Sequence, residues 1–391
     1  MKVNLNKIFS NSLIFFIAIY FCQGVLYPAN FIIGKISVLI IILISSFYLF
    51  KVFLLKINKS FFCYSWLALI ILNTLGFLFE GRFDGIYFSQ YRNILISLLP
   101  FFPFYYFGLK GYLTEEKLLR LFILMLPISI LSFYSSKNNI IESQISNTDN
   151  FVSNTAYLFV ALLPYIFLFG KRKIIAILSF LIIIFFIIQS AKRGALITAS
   201  IGAIVFIYYQ FSIIDTKKRM QGYIFSFFAL ILILKFSIDL YQSNEYLVRR
   251  MEKIDEGGSG RNVIYYNLWN NWLQSNHILN YLFGFGFVST VLYSGTGHLA
   301  HNDWLELLTN FGLLGVLVYL LVFLSMIEMI LVKGIKKNSK LILICIFLMS
   351  IIKTLISMYY TSAVTIFSTI LLGYICSQYI RSRHNIIVLK D

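Results

Sequence analysis

The chain has 391 residues, of which 59% are hydrophobic and 13% are charged, and its formal net charge at pH 7 is +17. Soluble domains are roughly 45–50% apolar and about a quarter charged, so this composition argues against an ordinary soluble protein. The basic residues form short clusters between apolar runs, which indicates membrane topology rather than the basic helix or groove of a nucleic-acid-binding protein. We therefore expect a helical membrane protein that binds no nucleic acid.

Apolar runs of about 20 residues, the length that crosses a bilayer, predict twelve membrane spans in one all-α domain covering residues 1–391. They lie at residues 8–27, 31–50, 61–79, 93–109, 118–134, 155–170, 174–190, 194–213, 223–240, 311–331, 341–358 and 362–380. The first run lacks a small-residue cleavage site, so we interpret it as a retained helix rather than a signal peptide. Pro100 and Pro103 lie inside the fourth span, where a kink is tolerated if neighbouring helices satisfy the freed carbonyl groups.

Basic residues orient the predicted spans. With both termini in the cytoplasm, most of the 33 basic residues fall in cytoplasmic segments, as the positive-inside rule requires. The basic residues left on the other side are Lys35, Arg82, Arg92, Lys137, Lys192, Arg193, Arg249, Arg250, Lys253 and Arg261. The largest loop, residues 241–303, then faces the periplasm of a bacterial inner membrane.

The periplasmic loop contains an amphipathic pattern that begins at Arg261. Aromatic and aliphatic residues recur at helix-face spacing, which predicts a short helix lying in the membrane interface. The predicted apolar face consists of Tyr265, Leu268, Trp269, Trp272 and Leu273, and the opposite face of Asn267, Asn270, Asn271 and Gln274. The Gly284-x-Gly286 pair that follows lacks the strand–turn–helix context of a nucleotide-binding motif.

Three cations lie where the physics of membrane helices disfavours them. Lys192 and Arg193 fall in a short periplasmic turn, and Arg193 opens the eighth span at the positive end of the helix dipole. Arg261 repeats the anomaly at the start of the interfacial helix. Each position makes sense if an anion such as pyrophosphate binds there. Lipid-headgroup anchoring, or ion pairs with the acidic residues Glu252, Asp255 and Glu256, would also account for them.

Two histidines, His298 and His301, precede the tenth span. Either could act as a general base, since a histidine titrates near neutral pH, or could be an ordinary interfacial residue. The spacing H-x-x-H suggests a metal site, but no third ligand stands out in the sequence. Asp303 and Glu306 form the pattern D-x-x-E, which we interpret as a capping box for the following helix.

The remaining unusual residues lie within the apolar runs. Lys235 and Lys353 are expected either to extend towards the periplasmic interface or to line the same anionic cavity. The four cysteines form no C-x-x-C pair, so neither a zinc site nor a disulfide framework is indicated, and we expect them to be packing residues.

Three segments together resemble the O-antigen polymerase and O-antigen ligase superfamily (the Wzy and WaaL types). They are S-x-x-R-G-A-L around Arg193, S-G-R at Arg261 before a Trp-rich helix, and H-N-D-W-L-E-L-L from His301, followed by G-L-L-G. The resemblance covers roughly residues 186–330, and the first half of the chain matches only as apolar spans. Lys192 departs from the family pattern, which often has a small or hydroxylated residue there.

The resemblance implies a glycosyltransferase of lipopolysaccharide or other polysaccharide biosynthesis that uses no metal and no cofactor. Its donor and acceptor would be oligosaccharides linked to undecaprenyl pyrophosphate, with membrane lipids and a chain-length regulator as further partners. Arg193 and Arg261 would bind the donor pyrophosphate, with Lys192 sharing that task, and His301 would deprotonate the acceptor hydroxyl group. His298 is expected to line the same site.

Three functions remain open at this point. A polymerase would transfer the growing glycan onto a new lipid-linked repeat unit, and the H-N-D-W-L-E segment favours this function. A ligase would instead transfer the finished glycan to lipid A–core. A lipid-linked oligosaccharide flippase would need charges near the membrane midplane, whereas the unusual charges of this chain gather at its outer surface.

Overall fold

The computed structural model describes residues 5–28, 31–54, 59–83, 85–143, 152–170, 172–213, 235, 260–332 and 335–383. Within these ranges the regular structure is entirely helical, with no β-strand. The predicted ninth span, apart from Lys235, and the loop residues 241–259 lie outside the described residues. The same holds for Glu252, Asp255 and Glu256, so the predicted ion pairs with the loop cations stay untested.

Fifteen α-helices are numbered here in chain order for the described residues. The first eight are α1 (Leu5–Phe21), α2 (Ile32–Leu54), α3 (Phe61–Glu80), α4 (Gly85–Leu98), α5 (Phe101–Leu109), α6 (Glu115–Ser143), α7 (Ala156–Leu162) and α8 (Lys173–Gln189). The others are α9 (Arg193–Ile213), α10 (Arg261–Leu273), α11 (Ile278–Phe283), α12 (Thr290–Tyr293), α13 (Asp303–Leu331), α14 (Lys337–Ile356) and α15 (Ile366–Arg383). Short 3-10 segments at Leu163–Phe169 and Ala363–Thr365 extend α7 and precede α15.

Seven described helices are long and apolar enough to cross a membrane. They are α2, α3, α6, α9, α13, α14 and the segment Ala363–Arg383. Each coincides with a predicted span, and large apolar side chains such as Leu39, Leu43 and Phe47 of α2 are exposed, as lipid contact requires. An all-helical, membrane-embedded protein is therefore supported. Four further predicted spans correspond to shorter or interrupted apolar helices, so the count of twelve stays a prediction.

The predicted span at residues 93–109 is wrong as a continuous helix. It is divided into α4 and α5, which are separated by Leu99 and Pro100. Proline has no N–H to donate and its ring clashes with the carbonyl group four residues earlier, so the helix ends there. The Ser97 carbonyl group at the end of α4 accepts the Thr369 hydroxyl of α15 at 2.6 Å. The Ser97 hydroxyl donates to the Tyr360 carbonyl in the segment before α15.

Helices α5 and α15 form the centre of the packing. All nine residues of α5 are buried, from Phe101 to Leu109. Gly373 of α15 lies so close to α5 that a Cβ atom there would stand 2.7 Å from the Phe101 carbonyl oxygen and 2.9 Å from the Tyr105 amide nitrogen. Small residues allow such close approach of helix backbones, which is the usual way that membrane helices gain packing energy.

Helix α13 begins at Asp303 rather than at the predicted residue 311, and it contains a kink at Gly312 with φ 60°. The kink leaves the carbonyl groups of Thr309 and Asn310 free to accept the N–H groups of Phe285 and Gly286, at 2.8 and 3.1 Å. The loop that precedes α13 is therefore seated on the first turns of α13 through backbone contacts.

Candidate functional site

The turn that carries Lys192 and Arg193 has an unusual backbone. It joins α8 to α9, and Ala191 within it adopts φ 48°, a left-handed conformation that costs a non-glycine residue about 1–3 kcal/mol. The Ser190 carbonyl accepts the Ser153 N–H at 3.1 Å, and the Lys192 carbonyl accepts the Leu196 N–H at 3.0 Å. These bonds fix the conformation in which Lys192 and Arg193, both half-buried, open α9.

Gly194 allows a close contact beside Arg193. A Cβ atom at Gly194 would stand 2.4 Å from the Tyr157 hydroxyl and 3.6 Å from the Ile356 side chain. Any larger residue would displace Tyr157, so the start of α9 is packed directly against α7 and the end of α14. This contact explains the glycine of the R-G-A-L segment in structural terms.

Arg261 reaches the end of the same helix, α14. Its Nη1 donates to the Ile356 carbonyl oxygen at 2.7 Å. The last carbonyl groups of a helix lack intrahelical partners and form the negative end of the helix dipole, so a cation is favoured there. This contact by itself accounts for a cation at the position of Arg261, and anion binding there stays a prediction. A guanidinium has five N–H donors, and this bond uses one of them.

Helix α10, which begins at Arg261, buries only part of its predicted apolar face against the rest of the protein. Ile264, Leu268 and Trp272 are buried, whereas Trp269 and Leu273 are 46% and 47% exposed. Exposed apolar side chains are compatible with a helix in the membrane interface, so the interfacial position stays a prediction. The asparagine side of the helix packs against the protein. On that side Asn267 and Asn271 donate to the carbonyl groups of Ser294 and Tyr293, at 2.9 and 3.1 Å.

His301 is the group around which the predicted cations gather. It also has a left-handed backbone, with φ 53°. Partial burial lowers the pKa of its imidazole below the ordinary value of 6.5, and the charges of Arg261, Lys192 and His298 lower it further. His298 and His301 are both exposed. The imidazole of His301 is therefore neutral at neutral pH and accessible to a hydroxyl group that approaches from outside.

The D-x-x-E pattern is not the cap of α13. Asn302 is the N-cap, and its side chain accepts the N–H groups of Trp304 and Leu305 at 3.0 and 3.2 Å. Its amide also donates to the Leu355 carbonyl of α14 at 3.1 Å. An asparagine is as good a cap as an aspartate, so the cap lies one residue earlier than predicted. Asp303 and Glu306 are left for other contacts.

Asp303 is buried and joins α13 to the segment after α14. Its carboxylate accepts the N–H groups of Tyr359, at 3.0 and 3.1 Å, and of Tyr360, at 3.3 Å. It also accepts the Tyr319 hydroxyl at 2.7 Å. These donors satisfy a carboxylate that would otherwise be costly to bury.

Glu306 is buried on the other side of α13 and holds the residue before His301. Its Oε2 accepts the Ala300 N–H at 2.9 Å, and its Oε1 accepts the Thr290 hydroxyl at 2.6 Å. Ala300 is itself buried. Glu306 therefore fixes the backbone that presents His301, which gives this carboxylate a positioning role.

Lys353 is buried within the helix bundle, so the interpretation that it extends to the interface is wrong. Its ammonium lies 5.2 Å from the ring centre of Tyr157 and 5.5 Å from that of Tyr359. Aromatic faces and the nearby charge of Asp303 stabilise the cation at this depth. Lys235 is exposed.

Four of the five predicted site residues interact electrostatically: Lys192, Arg261, His298 and His301. The fifth, Arg193, precedes Gly194, where an added Cβ atom would stand 3.6 Å from the side chain of Ile356, the residue whose carbonyl oxygen accepts the bond from Arg261. Within the described ranges, no three His, Cys, Asp or Glu side chains are grouped as metal ligands would be.

Sequence reasoning missed Tyr157, Tyr265 and the positioning role of Glu306. Tyr265 forms side-chain hydrogen bonds with Arg261 and Asn302, and partial burial raises its pKa. Its position one helical turn after Arg261 was the available signal. No signal of that kind points to Tyr157, which lies more than a hundred residues from Arg261 in the chain.

Comparison with known proteins adds no further assignment. No family model matches the chain, and no curated protein matches it significantly.

Proposed function

We propose that the protein is a polymerase of O-antigen or a related surface polysaccharide. It would transfer a growing glycan from undecaprenyl pyrophosphate onto a lipid-linked repeat unit at the periplasmic face of the inner membrane. The observation that supports this function best is that Arg261, Lys192 and His298 all act electrostatically on one exposed imidazole, that of His301. Such a site combines a neutral base with cations suited to a diphosphate.

The reaction needs one proton transfer and one displacement. The acceptor hydroxyl group gives its proton to the imidazole of His301 as its oxygen attacks the anomeric carbon of the donor. The bond from that carbon to the pyrophosphate oxygen breaks, and undecaprenyl pyrophosphate leaves with the electron pair. Arg261, Arg193 and Lys192 would offset the charge that develops on the leaving oxygen. His301, which is exposed, then returns its proton to solvent.

The backbone of the site favours this chemistry. Two of the three described non-glycine residues with positive φ, Ala191 and His301, lie at the cation turn and at the base. Left-handed conformations at such residues persist only where surrounding contacts enforce them, and they concentrate at functional sites. Here the enforcing contacts are the Ser153 bond to Ser190 and the Glu306 bond to Ala300.

Replacement of the site residues in the producing strain tests the proposal. His301→Ala, Arg193→Ala and Arg261→Ala should each abolish long-chain polysaccharide while protein abundance stays normal, and Arg261→Lys should also be poor. His277→Ala and Arg82→Ala are matched controls, because His277 is an exposed histidine of the same loop and Arg82 pairs with Glu80 at 3.5 Å. Wild-type chain length in the His301→Ala strain would exclude His301 from the reaction.

Deletion of the whole chain separates the polymerase from its two rivals. Loss of a polymerase leaves lipid A–core that carries a single repeat unit, whereas loss of a ligase leaves bare core. A flippase, reconstituted in liposomes with lipid-linked repeat units, would form no new glycosidic bond. Elongated lipid-linked glycan from the purified protein would therefore favour the polymerase over both.

A further inference from the structure

A cavity lies in the N-terminal half of the protein, between the first four helices. Its volume is about 510 Å³, within the range of pockets that bury most of a ligand. The walls are mainly apolar, with Val38, Leu39 and Ile42 on α2 and with Phe77, Phe88 and Leu95 on α3 and α4. We call this cavity the N-terminal groove. An apolar chain would fit such walls.

Two cations line the N-terminal groove. Lys35 stands in the first turn of α2, and Arg92 lies on α4. Among the described residues neither cation forms an ion pair with a carboxylate, and the Nε atom of Arg92 is buried without an acceptor. A half-buried guanidinium with an unused N–H is costly unless an anion binds it. The groove therefore combines an apolar wall with a site for an anion.

The groove is connected to the candidate site by shared walls. Tyr20 and Gln23 line both the groove and a neighbouring cavity of about 250 Å³, which Asn154 and Thr155 also line. Ser153, next to these two residues, donates its N–H to the Ser190 carbonyl in the turn before Lys192.

A second connection runs through aromatic rings. Tyr91, on the wall of the groove, is stacked on Phe77 with ring centres 4.2 Å apart. Phe287 packs against both rings, at 5.7 Å from Phe77 and 6.4 Å from Tyr91. Phe287 belongs to the loop segment that leads to His301. The wall of the groove is therefore in contact with the segment that leads to His301.

We infer that the N-terminal groove binds the prenyl carrier of one of the two lipid-linked substrates, with its phosphate on Lys35 and Arg92. The inference rests on the proposed function, because polymerisation requires two carrier-linked substrates at once and Arg193 with Arg261 serve only one pyrophosphate. The two cations favour an anionic headgroup, and the apolar walls would contact the prenyl chain. The connection to the turn of Lys192 favours a substrate over a bulk membrane phospholipid.

Binding of undecaprenyl phosphate to the purified full-length protein tests the inference. Native mass spectrometry gives the number of lipids bound per chain. Wild type should bind two. The double variant K35Q/R92Q should bind one, with binding at the second site weakened at least about tenfold. R193Q/R261Q should lose the other lipid. The control Arg82→Gln, a cation that lies outside the groove and donates to the Tyr87 hydroxyl at 2.8 Å, should still bind two.

The outcomes separate this inference from the proposed function. Two lipids on K35Q/R92Q with one on R193Q/R261Q would overturn the groove assignment and leave the polymerase proposal intact. If K35Q/R92Q loses one lipid while R193Q/R261Q still binds two, the groove assignment is supported and the role of Arg193 and Arg261 is contradicted. Equal displacement of undecaprenyl phosphate by phosphatidylglycerol would overturn the prenyl occupant. If the double variant does not fold, Lys35→Gln replaces it, because Lys35 is exposed, and it should weaken binding of the same lipid. Arg92→Lys keeps the positive charge and should retain binding.

Discussion

The contact between α5 and α15 and the surroundings of His301 are both well packed, but by opposite means. Between α5 and α15, apolar residues are buried on all sides and a glycine lets two backbones touch. Around His301, polar groups are buried instead, and the two buried carboxylates, Asp303 and Glu306, are each satisfied by named donors. The first arrangement stabilises the bundle, whereas the second holds strained backbone in place.

This difference predicts which substitutions change the stability of the protein and which change its reaction. Substitutions in the first region should change how much folded protein exists. Substitutions in the second should change the rate of a reaction or its pH dependence, with graded effects on stability. The predictions below test that division, from the largest expected effect to the smallest.

Gly373→Leu should abolish the folded protein. Its side chain would meet the backbone of Phe101 and Tyr105 at distances below 3.0 Å, and backbone atoms cannot move aside as a side chain can. Membrane abundance and a monodisperse peak in size-exclusion chromatography measure the effect. Gly34→Ala is the matched control, because its added Cβ would meet only the side chains of Gln23 and Tyr27, at 3.3 Å. Normal abundance of Gly373→Leu would contradict the packing account.

Asp303→Ala should destabilise the protein strongly without a direct effect on the base. It would leave two buried N–H groups and one hydroxyl group without their acceptor, at a cost of about 1–3 kcal/mol each. Thermal unfolding in detergent measures the loss. Tyr319→Phe removes only the hydroxyl, so its melting temperature should fall much less. Equal melting temperatures of Asp303→Ala and wild type would show that these bonds contribute nothing.

Glu306→Gln should slow the transfer while leaving most of the protein folded. The glutamine keeps the size of the side chain but is uncharged and offers only one oxygen, so Ala300 N–H and Thr290 hydroxyl cannot both be accepted as before. Misplacement of the base by about 1 Å can cost on the order of 10²-fold in rate. Steady-state kinetics should show a lower kcat with an acidic limb at an unchanged pH. A change in KM alone would contradict a positioning role.

Lys192→Gln should shift the pH dependence of the reaction. The lowered pKa of His301 keeps the imidazole neutral, so the rate should fall only as the pH drops through a value below 6.5. Removing the charge of Lys192 makes the imidazolium less unfavourable and raises that pKa. The acidic limb of the residual activity should therefore move to higher pH. An unmoved limb would show that Lys192 does not act on His301.

The all-helical, membrane-embedded character could be predicted from the sequence, because long apolar runs report directly on lipid contact. The starts of α2, α3 and α9 lie within one residue of the predicted spans. The break at Pro100 and the early start of α13 were not predicted. Both depend on what packs beside the helix, namely Thr369 against Ser97 and the loop carrying Gly286 against Asn310.

For the candidate site, the sequence indicated which charged residues are unusually placed, but not which residues they contact. Lys192 attracted attention because positive charge is disfavoured in a short periplasmic turn, and Arg261 because helix starts disfavour cations. Both act electrostatically on His301. The bond from Arg261 to the end of α14 could not be read from the sequence, because the two residues are far apart in the chain. The capping box at Asp303 was wrong for a related reason. The two carboxylates have distant partners, and a local motif cannot reveal them.

The close backbone contact of Gly284 and Gly312 with each other's segments has a consequence for mutational scanning. A Cβ atom at Gly284 would stand 2.4 Å from the Phe311 amide nitrogen, and one at Gly312 would stand 2.5 Å from the Leu282 carbonyl carbon. Both glycines also have positive φ. A library selected for polysaccharide would therefore reject nearly every replacement at these two positions, and they would rank beside His301 among intolerant sites. A parallel selection for abundance alone would separate them, since the glycines would fail it and His301 would pass.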